Sequence, residues 1–492
     1  MAWVPAVRKT TQNPALAGLG LAIQNAFIKP THPVCCAYMR LVKDDPSGGG
    51  VLKRLLPTLA TLLALAPPVL AQGLDLSDAL KALPSTLDWQ SADLSYESAL
   101  RQLEAALAAQ GLKLSGGADY TLREGSGSGL TVSATASLGV LPWSSSADAV
   151  RSAERALERA ALARREARNN LYIALHTQYF NLRQAQADLA LAQATLALRE
   201  RQLQIVTAQN QAGSATLSDL LTAQQNLDAA RSSLLSAQGT LELARLTLAG
   251  TLGLNPQQLG NPTTPPEEPS LPGEGLEALL QRALASRPDV LRALSQLRDA
   301  EENLASAERN RLIPNASVSL GYSDSGSTLS AGLNLKSGTA SLSAALPVGQ
   351  STSSALLQGY SLGLSLSVPI FDPVSDSSIR TAQTALQAAR QALATARKSA
   401  ELDVRQKYQN LQTAQAAIAA ARAALNTANQ NLRTAQARLQ AGTGTSVEVQ
   451  AAQVSQLQAQ RNLEAALIQA QLAALALQNA LGADLTATLG GK

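Results

Sequence analysis

The chain has 492 residues, 46% hydrophobic but only 3% aromatic, with 40 basic and 36 acidic residues for a net charge of +4. That charge sits at the start: residues 1–71 hold seven basic and two acidic residues, and the remainder, with 33 basic and 34 acidic residues, is nearly neutral. A basic nucleic-acid surface is thereby excluded, and so are disulfides, thiol nucleophiles and Cys/His metal sites, because Cys35, Cys36 and His32 also lie in the first 71 residues and only His176 follows.

Residues 51–71 read as a secretory signal peptide. Lys53-Arg54 is a charged start, Leu55 to Leu70 is a short apolar run, and Val69-Leu70-Ala71 is a small-residue cleavage site. A spanning helix needs about 20 apolar residues; this run is shorter and is broken by Pro57, Pro67 and Pro68. Residues 1–50 are expected to be an upstream extension, with translation starting at Val51. No Cys follows Ala71, so no lipid anchor is expected there.

Residues 72–111 read as N-terminal helices. Leu100, Leu103 and Leu107 share one face and Gly111 is a stop signal. Over 112–141 the period changes to two. Leu130, Val132, Ala134, Ala136 and Leu138 alternate with Thr131, Ser133, Thr135 and Ser137, which predicts a β-hairpin. Strands of ~9–11 residues with one apolar and one small polar face also suit a membrane barrel.

Residues 144–253 form the first long helical hairpin. Ser144 to Asp148 offers N-cap residues, and the helix is expected to run to about Gln211, roughly 100 Å at 1.5 Å per residue. Leu175, Leu182, Leu189, Leu196 and Leu203 recur every seven residues, as do Leu220, Leu227, Leu234, Leu241 and Leu248 on the return. That period packs one stripe against neighbouring helices and favours a left-handed supercoil.

A Pro-rich linker follows over 254–275, then a connecting helical segment over 276–312, in which Arg287-Pro288-Asp289 starts a helix expected to run to about Arg311 and to end before Pro314. A second β region spans 313–371, in which Asp324 to Ser354 reads either as an extended loop or as added strands. A second long helical hairpin spans 375–482 and a tail spans 483–492. The returning helices, ~37 residues each, are only about 55 Å long. The shorter helices before each β region are expected to stack end to end with them.

The two halves repeat without a gap at an offset of 229. Arg151 meets Arg380, Tyr179 meets Tyr408, Leu203 meets Leu432, Gly213 meets Gly442, and Leu252-Gly253 meets Leu481-Gly482. Such a repeat implies two copies of one supersecondary unit. Its turns read Gln211-Ala212-Gly213-Ser214-Ala215-Thr216-Leu217-Ser218-Asp219 and Gln440-Ala441-Gly442-Thr443-Gly444-Thr445-Ser446-Val447-Glu448.

These turns, the Arg287-Pro288-Asp289 block with Pro314 before a strand, and Val368-Pro369-Ile370-Phe371-Asp372 before a long helix resemble the TolC-like outer-membrane efflux and secretion channels. The resemblance spans nearly all of residues 74 to 485. It implies a mainly α fold with a β-barrel portion: a homotrimeric α-barrel of duplicated hairpins, continued by a twelve-stranded transmembrane β-barrel with four strands per chain. It implies a passive exit duct that works with a periplasmic adaptor and an inner-membrane efflux pump or ABC transporter, with outer-membrane lipid as surroundings.

The resemblance also places function at the turns. Glu448, and secondarily Asp219, would line the periplasmic gate, where a ring of three carboxylates attracts cations. Gly213, Ser214, Thr216, Leu217, Gly442, Thr443, Gly444 and Thr445 would meet the adaptor. Placement in the first turn of a helix, where the macrodipole favours acids, explains Asp219 and Glu448 equally well. The family's second acid and basic partner are replaced here by Ala451 and Gly444. No cofactor, metal or catalytic cluster is expected. The competing reading is a secreted structural coiled-coil or adaptor-like protein, which leaves the period-two stretches without a role.

Overall fold

Small-residue-rich heptads produce helices of unusual length. In the computed structural model, helix α3 (Ser145–Gln211, 67 residues) begins where Ser144 caps the Ala147 amide. Its repeat partner, numbered α7 below, spans Pro373–Gln440 with 68 residues, and Asp372 caps it at Ser375. The structure describes residues 73–123, 127–324, 326–348, 359–368, 371–487 and 489. The expectations for residues 1–50 and 51–71 lie outside the described residues.

In chain order the helices are α1 (Leu76–Ala82), α2 (Leu87–Gln110), α3, α4 (Leu217–Leu252), α5 (Leu276–Ser286), α6 (Pro288–Leu312), α7 and α8 (Ser446–Ala480). Residues 276–312 form two helices, α5 and α6, because Pro288 lacks an amide hydrogen and starts a new helix. Helices α2 and α4 both pack on α3, and α6 and α8 both pack on α7, so two short helices cover each long one. The halves join through α3 and α8, where Arg461 grips Asp188 at 2.6 and 3.2 Å and Arg183 pairs with Glu464.

The predicted seam is internal but unevenly so. Leu175 and Leu182 on α3 and Val404, Leu411 and Ile418 on α7 are buried, whereas Leu189, Leu196, Leu203, Leu425 and Leu432, nearer the turns, are half-buried. The largest core gathers Trp89, Leu175, Tyr179, Phe180, Leu248 and Ile468. Here the Pro-rich linker is strapped down. Leu74 donates to the Asn261 carbonyl at 2.7 Å, Thr263 donates back to Leu74, and the Tyr179 hydroxyl joins Leu74 to Thr264.

The strands are β1 (Lys113–Arg123), β2 (Gly127–Gly139), β3 (Asn315–Asp324), β4 (Ser327–Asn334), β5 (Thr339–Val348) and β6 (Gly359–Ser367). They form one antiparallel sheet in the order β1-β2-β5-β4-β3-β6. The expectation of four strands per chain is corrected to six among the described residues. Of the span left open as loop or strands, residues 325 and 349–354 lie outside the described residues; the rest carries a weak Leu/Ala against Ser/Gly alternation, which suffices once β2 and β3 offer edges on either side. Its inner turn is fastened to the start of α3: the Gly338 carbonyl accepts from the amides of Val140 and Leu141, and the Trp143 indole donates to the Leu335 carbonyl at 3.0 Å.

Candidate functional site

Two surfaces carry the candidate chemistry: the faces of the sheet and the turns between the long helices. Cross-strand partners in an antiparallel sheet point to the same side. Ala136 stands opposite Leu342, Leu342 opposite Ala331, Ala331 opposite Leu320, and Leu320 opposite Leu362. The apolar positions of all the strands therefore form one face. That face is uncovered within the chain: Leu114, Tyr120, Leu342, Leu346, Leu362 and Leu364 are all exposed, Leu364 at 78%. An apolar area this continuous on a sheet demands a nonaqueous neighbour.

The opposite face is small and polar. Ser133, Ser319, Ser341, Ser361 and Ser365 lie on it, and β2, β4, β5 and β6 contain no charged residue. Glycines make room for these hydroxyls. A Cβ at Gly321 would stand 2.6 Å from the Ser361 hydroxyl, and one at Gly363 would stand 2.6 Å from that of Ser319. The same glycines leave this side of the sheet free of bulk.

The two turns are superimposable in their hydrogen bonding. Gly213 (φ +74) donates to the Asn210 carbonyl and Ser214 to Gln209, while Gly442 (φ +73) donates to Leu439 and Thr443 to Arg438. A left-handed residue closes each long helix, and glycine takes it without a Cβ penalty. Thr216 and Thr445 then cap α4 and α8. Gly213, Ser214, Thr216, Leu217, Gly442, Thr443 and Thr445 are exposed, and Gly444 is half-buried beneath Arg438.

Asp219 and Glu448 occupy the same place in the two caps. The Asp219 amide donates to the Thr216 hydroxyl at 3.2 Å, and the Thr216 amide donates back to Asp219 Oδ2 at 2.9 Å. Thr445 and Glu448 repeat the exchange at 3.3 and 3.4 Å. Each acid thus completes a reciprocal capping box. The hydrogen bonds from the Thr216 side chain and amide hold the Asp219 carboxyl below the usual carboxylate range. Both acids are exposed, and each sits at its own helix start. The Thr-x-x-Asp and Thr-x-x-Glu spacing was the sequence signal for this box.

His176 is a packing residue. It is 4% exposed, its Nδ1 pairs with the Tyr172 carbonyl at 3.0 Å, and its ring lies 4.4 Å from that of Tyr172. Burial pushes its pKa down. The Arg287-Pro288-Asp289 block is visible in the sequence, but its partners are not. The Arg287 guanidinium holds Asp289 at 2.9 Å and Asp403 at 2.7 Å, while Ser286 donates to the Leu481 carbonyl. Among the described residues, no group of three His, Cys, Asp or Glu is placed to hold a metal ion, and no helix is long and apolar enough to cross a membrane.

A family model described as outer membrane efflux protein matches residues 80–254 and 279–483. No curated protein matches the chain. Among solved structures, the outer membrane protein VceC of Vibrio cholerae is 20% identical with a TM-score of 0.61, over 83% of this chain and 96% of that one. The CmeC outer membrane channel of Campylobacter jejuni is 15% identical with a TM-score of 0.62, over 90% of each chain. The open-state MtrE outer membrane channel of Neisseria gonorrhoeae is 20% identical with a TM-score of 0.59, over 83% and 89%.

Proposed function

Because the chain belongs to the outer membrane efflux protein family, we propose that it is the outer-membrane exit duct of a tripartite efflux or type I secretion system. In this reading three copies assemble. Their sheets close a barrel in the outer membrane and their helices continue it as a periplasmic tunnel. A periplasmic adaptor joins the tunnel to an inner-membrane efflux pump or ABC transporter, which supplies the energy, and the duct itself is passive.

The observation that carries this reading is the two-faced sheet at one end of a helical body roughly 100 Å long. A lipid-facing sheet cannot keep free edges, since each unpaired backbone group in hydrocarbon costs several kcal/mol. Strands β1 and β6 are both edges within one chain. Closure by further copies satisfies them. A secreted coiled coil would leave the exposed leucines of the sheet in water.

The turns at Gly213 and Gly442 form the periplasmic tip in this reading. Ser214, Thr216, Leu217, Thr443, Gly444 and Thr445 present the surface that meets the adaptor, and Leu217, 65% exposed, supplies an apolar contact. Glu448, with Asp219, lines the gate. The capping boxes are compatible with this, because each carboxylate accepts from its own helix start through one oxygen and leaves the other free.

Cell fractionation and gene deletion test the assignment. The protein is expected in the outer-membrane fraction, extracted only by detergent, and its loss is expected to raise intracellular retention of exported compounds. Recovery from the soluble periplasm with unchanged export would overturn it.

A further inference from the structure

The inserted hairpin bears on the width of the exit. Resting on the duct reading above, we propose that three chains close an eighteen-stranded barrel, with β4 and β5 built into its wall. The exit then admits solutes too large for a twelve-stranded one.

Register argues that the hairpin is wall and not plug. Strand β5 pairs with β2 from Leu130 opposite Val348 through Gly139 opposite Thr339, and β4 pairs with β3 from Ser317 opposite Asn334 through Asp324 opposite Ser327. The hairpin therefore separates β2 from β3 along its whole length and cannot fold aside without breaking both ladders. Its chemistry continues the wall on each side. Leu329, Leu333, Leu342 and Leu346 extend the exposed apolar face, while the hydroxyls of Ser330 and Ser343 meet at 2.6 Å on the other. A plug surrounded by water would have no use for an apolar face.

Strand direction argues for closure at eighteen. All five pairings are antiparallel, so β1 and β6 run in opposite directions. The β6 edge of one copy thus meets the β1 edge of the next as an antiparallel pair, and six strands from each of three copies close without a parallel seam. At about 4.8 Å between strands and a tilt of about 40°, twelve strands give a backbone diameter of roughly 24 Å and eighteen roughly 36 Å. The inner face, mostly Ser, Thr and Gly with Lys113 and Asp119 from β1, does not refill that space.

Electron microscopy of the protein in lipid nanodiscs tests the proposal directly. Eighteen strands around the threefold axis, with β6 beside the neighbouring copy's β1, is the expected result. Twelve strands in the wall, or β4 and β5 inside the lumen, would overturn it while leaving the duct reading intact. Absence of any membrane-inserted barrel would instead overturn the duct reading. A functional arm uses deletion of Ser327–Val348, which lets β2 meet β3. Polyethylene glycols of graded size, added to the barrel side during bilayer recording, are expected to enter wild type at sizes that the deletion variant excludes. Equal cut-offs in a variant that still assembles would contradict the proposal.

Discussion

Arg287 Nη1 lies 2.7 Å from Asp403 Oδ2, which ties the N-cap of α6 to the middle of α7 across 116 residues of sequence. The same guanidinium holds Asp289, and its side chain is only 17% exposed. Truncating one member of such a network leaves the remaining charges poorly solvated. Arg287→Ala is expected to lower stability by on the order of 2–3 kcal/mol, read by chemical denaturation of the detergent-solubilised protein. Arg287→Lys should recover little, because an ammonium cannot serve both carboxylates with a fork. A full rescue by Lys would show that charge alone matters.

The capping boxes separate two roles of Glu448. A Gln at the same position preserves the box but removes the charge. Glu448→Gln is therefore expected to reduce cation selectivity in bilayer recordings without altering helix content. Unchanged selectivity would remove Glu448 from the gate. Thr445→Ala should do the converse, raising hydrogen exchange at the start of α8 about fivefold with selectivity kept.

His176 gives a pH dependence with a definite sign. Its folded pKa is lowered by burial, so the unfolded chain takes up the proton first. Stability on this account is constant above the unfolded value of about 6.5 and falls as pH drops below it. His176→Gln should flatten the change in thermal midpoint between pH 7.5 and pH 5.5 relative to wild type. An equally steep fall in the variant would assign the effect to other groups.

The two faces of the sheet make opposite predictions at adjacent residues. Leu364→Arg on β6 puts a cation on the apolar face and is expected to cost about 2–4 kcal/mol of membrane assembly, visible as loss from the outer-membrane fraction. Ser365→Arg, one residue on, points to the other face and should assemble normally while shifting ion selectivity. Equal tolerance at both positions would mean that lipid does not contact the leucine side.

What the sequence made legible follows from what each signal encodes locally. Gly213 and Gly442 align in the repeat and both adopt positive φ, since a tight turn is a property of a few adjacent residues. The long helices were readable from leucines every seven residues. The six-stranded sheet was only half readable, because Ala340, Ala344 and Gly332 alternate too weakly to declare strands until β2 and β3 flank them. Arg287 was marked by its motif, yet Asp403 could be found only by folding. The capping roles of Asp219 and Glu448 were within reach through the three-residue spacing from Thr216 and Thr445.

Planar-bilayer recording of the detergent-extracted protein tests whether the apolar sheet face belongs in a membrane and encloses a path. Discrete, stepwise ion conductance that depends on insertion is predicted. A protein that stays in aqueous solution without detergent and yields no conductance steps would contradict the account.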